Sequence, residues 1–180
     1  MRAFRKIVVL TVSLGLAACA REQRPPAPAY PSTSEAQRPP SRAAAVSGAD
    51  FVAINGSIDL FVIRSSELAR QRSSSARIRD FASQLIEAHK GTSAQLSFAG
   101  RRLNLLPSAT LRPAEQSMLD SLQSSGQFDA EYVRDQRTVH REAIAIDSAY
   151  AARGTSPTLQ PVAAAALPIE QRHLRMIAYL

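Results

Sequence analysis

The sequence predicts an all-α fold, a four-helix bundle with a short extra helix in the connection between the second and third long helices. Three observations carry that expectation. From residue 50 onward, apolar side chains recur at threes and fours in four long stretches, the period of one helix face. No segment alternates apolar and polar residues as a strand does, and glycine is sparse, with 7 in 180 residues. One connection, between the second and third stretches, is longer than the others, which gives two helical hairpins joined by a crossover. A chain of 180 residues that is 45% hydrophobic can bury the core of one such domain.

The first residues are read as targeting sequence rather than fold. Arg2, Arg5 and Lys6 form a positive start, and Ile7–Leu16 form an apolar run too short to span a bilayer. The run ends in Leu16-Ala17-Ala18-Cys19, which resembles a bacterial lipobox. Residues 1–18 are therefore expected to be a lipoprotein signal peptide, with Cys19 as the lipidated residue. The alternative is an ordinary secretory signal with a chance cysteine, but Cys19 is the single cysteine of the chain. Two or more acyl chains would anchor the protein firmly to a membrane. Ala20 follows the cysteine where a sorting aspartate would retain the protein, which points to the outer membrane, facing the periplasm. Residues 19–48 continue as a Pro-rich, disordered tether containing Pro25, Pro26, Pro28, Pro31, Pro39 and Pro40. A Pro-rich recognition site is the alternative for that stretch.

Residues 49–180 form the predicted domain. Phe51, Val52, Ile58, Phe61, Val62, Leu68 and Ala69 mark a first helix to about residue 71. Ser75 is placed to cap a second helix, from about 76 to 100, whose buried stripe is Ile78, Phe81, Ala82, Leu85, Ile86, His89, Leu96 and Phe98. Leu105-Leu106-Pro107 breaks the period, and Pro113 suits the first turn of a short helix over about 115–122. A long helix from about 128 to 152 carries Phe128, Tyr132, Gln136, Val139, Ala143, Ile146 and Tyr150, with His140 and Asp147 on its flank and Gly154 as its stop. Ser156-Pro157 opens the last helix, where Pro168 is expected to kink it or begin a new segment.

The net charge of +7 is no nucleic-acid signature. Residues 49–180 hold 15 basic and 13 acidic side chains, a balance of only +2, and most of the excess lies in the leader and tether. Arg70, Arg72, Arg77 and Arg79 gather at the first joint, as a solvated surface or a contact for anionic headgroups. Nucleophilic catalysis has no support: Cys19 is committed to lipid, and no Gly-x-Ser-x-Gly elbow occurs.

Chemistry is concentrated in the three histidines, one on each of three predicted helices: His89, His140 and His173. Glu170 and His173 are three apart, hence neighbours on one helix face, as bundles present a carboxylate and an imidazole to a metal. A di-iron centre of the ferritin type needs that pair twice, and the chain offers it once. Glu87-x-His89 and His140-x-Glu142 put their members on different faces. A mononuclear zinc, copper or iron site from His89, His140, His173 and Glu170, with Asp147 nearby, fits the ligand types. His140 lies midway along its helix and His89 late in its own, so spacing leaves their register open. The same residues also suit simple packing, hydrogen-bonded to Glu87, Asp147, Glu170 or backbone carbonyls. Any histidine touching a carboxylate is expected to have a raised pKa.

Leu68-Ala69 before a Ser-rich joint, Ile78-Arg79-Asp80-Phe81-Ala82 and His89 make one ordered signature. Leu105-Leu106-Pro107, Phe128-Asp129-Ala130-Glu131-Tyr132, His140, Leu167-Pro168 and His173-Leu174 continue it. Together they resemble the bacterial predicted outer-membrane protein family, domain of unknown function 4142, over about residues 50–180. The resemblance implies a ferritin-like fold and an exported, often lipid-anchored protein with no established activity. Ala88 precedes His89 where the family usually has Asp, and Arg64 stands where a first-helix glutamate is usual. Both changes remove carboxylates that a metal site could use.

Two functions are expected. The first is a non-enzymatic binding or structural module of the envelope, serving stress tolerance. The second is a metal-binding redox or storage protein using His89, His140, His173 and Glu170. The membrane is the one partner the sequence names.

Overall fold

The computed structural model describes residues 46–180. The expected signal peptide, Cys19 and nearly all of the tether lie outside the described residues. Five helices and no strand occur among those described: α1 (Gly48–Arg72), α2 (Ala76–Arg101), α3 (Pro113–Ser124), α4 (Phe128–Arg153) and α5 (Gln160–Ile177). None of them is long and apolar enough to cross a membrane.

Local chemistry sets most of the helix ends. Ser47 caps α1 reciprocally: its hydroxyl accepts from the Asp50 amide at 3.1 Å and donates to the Asp50 carboxylate at 2.7 Å. Ser75 caps α2 by accepting from the Ile78 amide at 3.4 Å, as its position predicts. Pro113 occupies the first turn of α3, where no amide hydrogen is needed. Gly154 ends α4 with φ −59°, so its role is close approach and not a left-handed turn; a Cβ there would meet the Tyr150 ring at 2.4 Å.

α1 packs on α2 and α4, α5 packs on α4 and α2, and the short α3 lies against α1 and α4. Arg72, at the end of α1, donates to the carbonyls of Leu122, Gln123 and Ser125 at 3.2, 2.6 and 3.2 Å, which places a cation at the C-terminus of α3. The same guanidinium lies 4.7 Å above the Phe128 ring at the start of α4. A second tie holds the other end of α3. Buried Glu115 accepts from Ser57 at 2.9 Å and pairs with Arg112, whose guanidinium also reaches Glu142 at 2.9 Å. The chain thereby pins its longest connection to α1 and α4.

The apolar core falls into two clusters. One contains Phe61, Val62, Phe81, Leu85, Leu122, Tyr132, Val139, Ala143 and Ile177; the other contains Phe51, Val52, Leu96, Tyr150, Leu159 and Ala163. Each fully buried Phe or Leu contributes about 1.5–3 kcal/mol. Between members of the two clusters, along the helices, lie buried polar side chains: Asp59 on α1, His89 on α2, Asp147 on α4, Glu170 and His173 on α5. A polar layer thus interrupts the core midway.

Three expectations change. Phe98 is 62% exposed, not part of the α2 stripe, and Arg101 lies 6.0 Å from its ring; Leu96 and Ala99 already fill the facing surface. α5 starts at Gln160 because residues 157–159 form a turn whose Ser156 carbonyl accepts from both Leu159 and Gln160. Pro168 begins no new segment: α5 runs through it, with its ring exposed and buried Ala163, Glu170, His173 and Ile177 anchoring both sides. That packing outweighs the roughly 3 kcal/mol a helix-interior proline costs.

Candidate metal centre

The open question of register is answered by the packing. His89, His140, His173 and Glu170 converge, each offering one donor atom, and these atoms all lie within 4.8 Å of one another. The three imidazole centroids form a triangle with every side 5.4 Å. All four side chains are buried. His140 faces inward because α4 presents it one turn before Ala143 and two before Asp147, so both polar residues belong to the core rather than to the flank of the helix.

Two of the three imidazoles have a defined free face. His89 donates from Nδ1 to the Asp59 carboxylate at 2.8 Å, and His140 donates from Nδ1 to the Gln136 carbonyl at 2.7 Å. Those donors fix the tautomers and leave the Nε2 lone pairs of both rings aimed inward. Neither Nε2, nor His173 Nδ1, nor Glu170 Oε2 has a hydrogen-bond partner among the described residues. His89 Nε2 lies 3.9 Å from Glu170 Oε1, and His140 Nε2 lies 3.6 Å from Glu170 Oε2. Donors of a tetrahedral ion with bonds of about 2.0–2.1 Å are separated by about 3.3–3.4 Å, so small side-chain shifts would close this set around one ion.

His89 and His140 each make a hydrogen bond of the kind that simple packing predicts, to a carboxylate and to a backbone carbonyl, and each keeps a second ring nitrogen free. An unpartnered buried polar atom costs roughly 1–3 kcal/mol. Four such atoms facing one point form a donor set of three nitrogens and one oxygen, suited to zinc or copper.

The four side chains of the cluster titrate in opposite directions. Burial pushes the Glu170 carboxyl up to about 7, opposed by His89 and reinforced by Asp59. Burial, with Glu170 and Asp59, pushes Asp147 up to about 8. His89 is raised: burial works against its charge, but Glu170 and the Asp59 hydrogen bond outweigh it. His173 is lowered to about 3 and His140 well below its ordinary value, by burial first and by His89 next. For His140 this corrects the expectation of a raised pKa, although Glu170 lies 3.6 Å away. The ring is fully enclosed and lies beside His89, whose charged form is favoured; a metal on His89 Nε2 would displace that proton. Uncharged His140 and His173 are the ligand form of imidazole.

Asp59 is the residue that sequence reasoning misses. Arg64, where a carboxylate was expected, donates instead to the Ala109 carbonyl at 3.4 Å. The first-helix carboxylate is Asp59, 5% exposed, which also accepts from Thr92 at 2.8 Å. Its signal was its place: seven residues after Val52 and three before Val62, it sits on the apolar stripe. Glu87 lies outside the cluster, exposed and paired with Lys90.

Fold and site together define a helical-bundle protein with a buried three-histidine, one-glutamate cluster. The chain belongs to the family called domain of unknown function 4142, whose model matches residues 32–180. No curated protein matches the sequence. Two solved structures share the fold. CopM in its Cu(II)-bound form superposes with a TM-score of 0.63 at 14% identity, covering 74% of this chain and 94% of that one. CopM in its Cu(I)-bound form gives 0.62 at 13% identity with the same coverage. At that identity the likeness speaks for the fold alone.

Proposed function

We propose that this chain is a non-catalytic metal-binding module of the bacterial envelope, holding one copper or zinc ion between His89, His140, His173 and Glu170 in a ferritin-like four-helix arrangement. The observation that carries the reading is the convergence of four buried, partnerless donor atoms from three helices on one point. Copper is the first ion to try, since the copper-bound CopM structures share the fold. Four protein donors fill a tetrahedral shell, whereas catalytic zinc keeps an open position, and this favours holding an ion over turning over a substrate. Such a module would buffer metal in the periplasm as a stress-tolerance protein.

The test is metal content. The untagged full chain, exposed to Cu(II) or Zn(II) and freed of excess, is expected to retain one equivalent, and the His140→Ala variant none. A wild-type chain free of metal, or a variant that retains it, would sink the reading.

Anchoring belongs to the same proposal and rests on Leu16-Ala17-Ala18-Cys19. In a bacterial host the chain should fractionate with the outer membrane, and Cys19→Ala should release it to the soluble periplasm. Equal fractionation of both would contradict a lipid anchor.

A further inference from the structure

Beside the cluster, on the side where α1, α2, α4 and α5 meet, lies a cavity of about 20 Å³. That is room for one water-sized occupant. Its lining grades from solvent to core. Gln95 is exposed and Asn55, Val162 and Ala166 are half-buried, while Asp59, Asp147 and Glu170 at the inner end are buried. The polar part of the lining offers oxygen donors and no cation: three carboxyls, two side-chain amides and the Thr92 hydroxyl. Asp147 is 1% exposed; neither carboxyl oxygen has a hydrogen-bond partner of good geometry among the described residues, and the Asn55 amide is near enough to favour its charged form.

Two residues belong to both places. Glu170 lines the cavity and stands 3.9 and 3.6 Å from the free nitrogens of His89 and His140. Asp59 lines it and orients His89 from the other ring nitrogen. An ion in the cavity would thus be one side chain away from the histidines.

We propose that this cavity is the entry of a divalent cation to the histidine cluster, with Asp147 as the receiving carboxylate and Glu170 passing the ion to His89, His140 and His173. The proposal rests on the metal-binding reading above and adds a route to it. Oxygen donors suit this task because they hold borderline cations more weakly than imidazole does, so the ion moves on. Once ionised, which for Asp147 means above about pH 8, a carboxylate at the inner end of a narrow, low-dielectric passage also concentrates cations at its mouth, an effect worth 10–10³-fold in association rate. A competing route is offered by a surface groove that His173 lines with Ser83, Glu87 and Met176.

The test is stopped-flow loading of the full chain with Cu(II), with copper stoichiometry and the Cu(II) paramagnetic resonance spectrum measured at the end point. Above about pH 8, where Asp147 is ionised, Asp147→Asn should load at least roughly tenfold more slowly. It should end at the same single equivalent with an unchanged spectrum. Ala166→Leu, which narrows the mouth without touching a charge, should also slow loading. Wild-type rates in both variants would overturn the entry and favour the His173 groove. A changed spectrum in Asp147→Asn would overturn it differently, making Asp147 a ligand. A wild-type chain that takes up no copper brings down the metal reading itself, an outcome visible before any variant is compared.

Discussion

Asp147 and Glu170 hold their protons far more tightly in the folded chain than carboxyls ordinarily do, up to about 8 and about 7. A group whose pKa is raised by folding contributes stability that is complete below its unfolded value and is lost as pH rises through the folded one. His89, also raised, has the same sign above 6.5. His140 and His173 are lowered, so their contributions are present above 6.5 and lost as pH falls, for His173 through about 3. Between ordinary carboxyl values and 6.5 the two sets oppose each other. From pH 6.5 to about 8.5 only the first set acts, and the metal-free chain should lose stability steadily. Urea unfolding across that window reads it directly, and Asp147→Asn should flatten the slope. A metal-free chain whose stability rises with pH there would show that these carboxyls are not held protonated. The same residues mark what the sequence discloses. His89 is legible as a core residue because it keeps the period of Ile78, Phe81, Leu85 and Ile86. Asp59 keeps the period of its own helix equally well, but an acidic residue on an apolar stripe is discounted until its partner is known, and that partner is 30 residues away.

At the scale of the elements, the connection between α2 and α3 decides how the two hairpins meet. Gly100 lets the chain turn back on α2: its carbonyl accepts from the Leu105 amide at 2.9 Å, and a Cβ on it would fall 2.0 Å from the Leu105 carbonyl oxygen. Asn104, with φ 55°, completes the turn in the left-handed region that asparagine tolerates. Gly100→Ala must displace backbone rather than a flexible side chain. It should cost about 1–3 kcal/mol, seen as a lower urea midpoint at unchanged slope. No loss would mean that the connection is free to shift. Helix existence was legible from period and caps, as Ser75, Pro113 and Gly154 show. The start of α5 was not, because Ser156-Pro157 carries the signature of a helix opening while the chain spends one more turn before Gln160. Phe98 illustrates the opposite error, a large apolar residue whose helical phase carries it to solvent.

For the whole molecule, a polar layer between two apolar clusters is costly unless something occupies it. Three carboxyls and three imidazoles share that layer with no buried Lys or Arg, and four donor atoms face one point without partners. On the proposed reading, a bound dication would offset that cost and tie α2, α4 and α5 to one another. Convergence itself was beyond the sequence, since spacing along three separate helices says nothing of their register. Coordination at the ion is the most direct measurement. X-ray absorption on the copper- or zinc-loaded full chain should show about three imidazole nitrogens and one oxygen at about 2.0–2.2 Å. The His140→Ala variant should show no bound metal. A loaded chain with one imidazole or none around the metal would contradict the account.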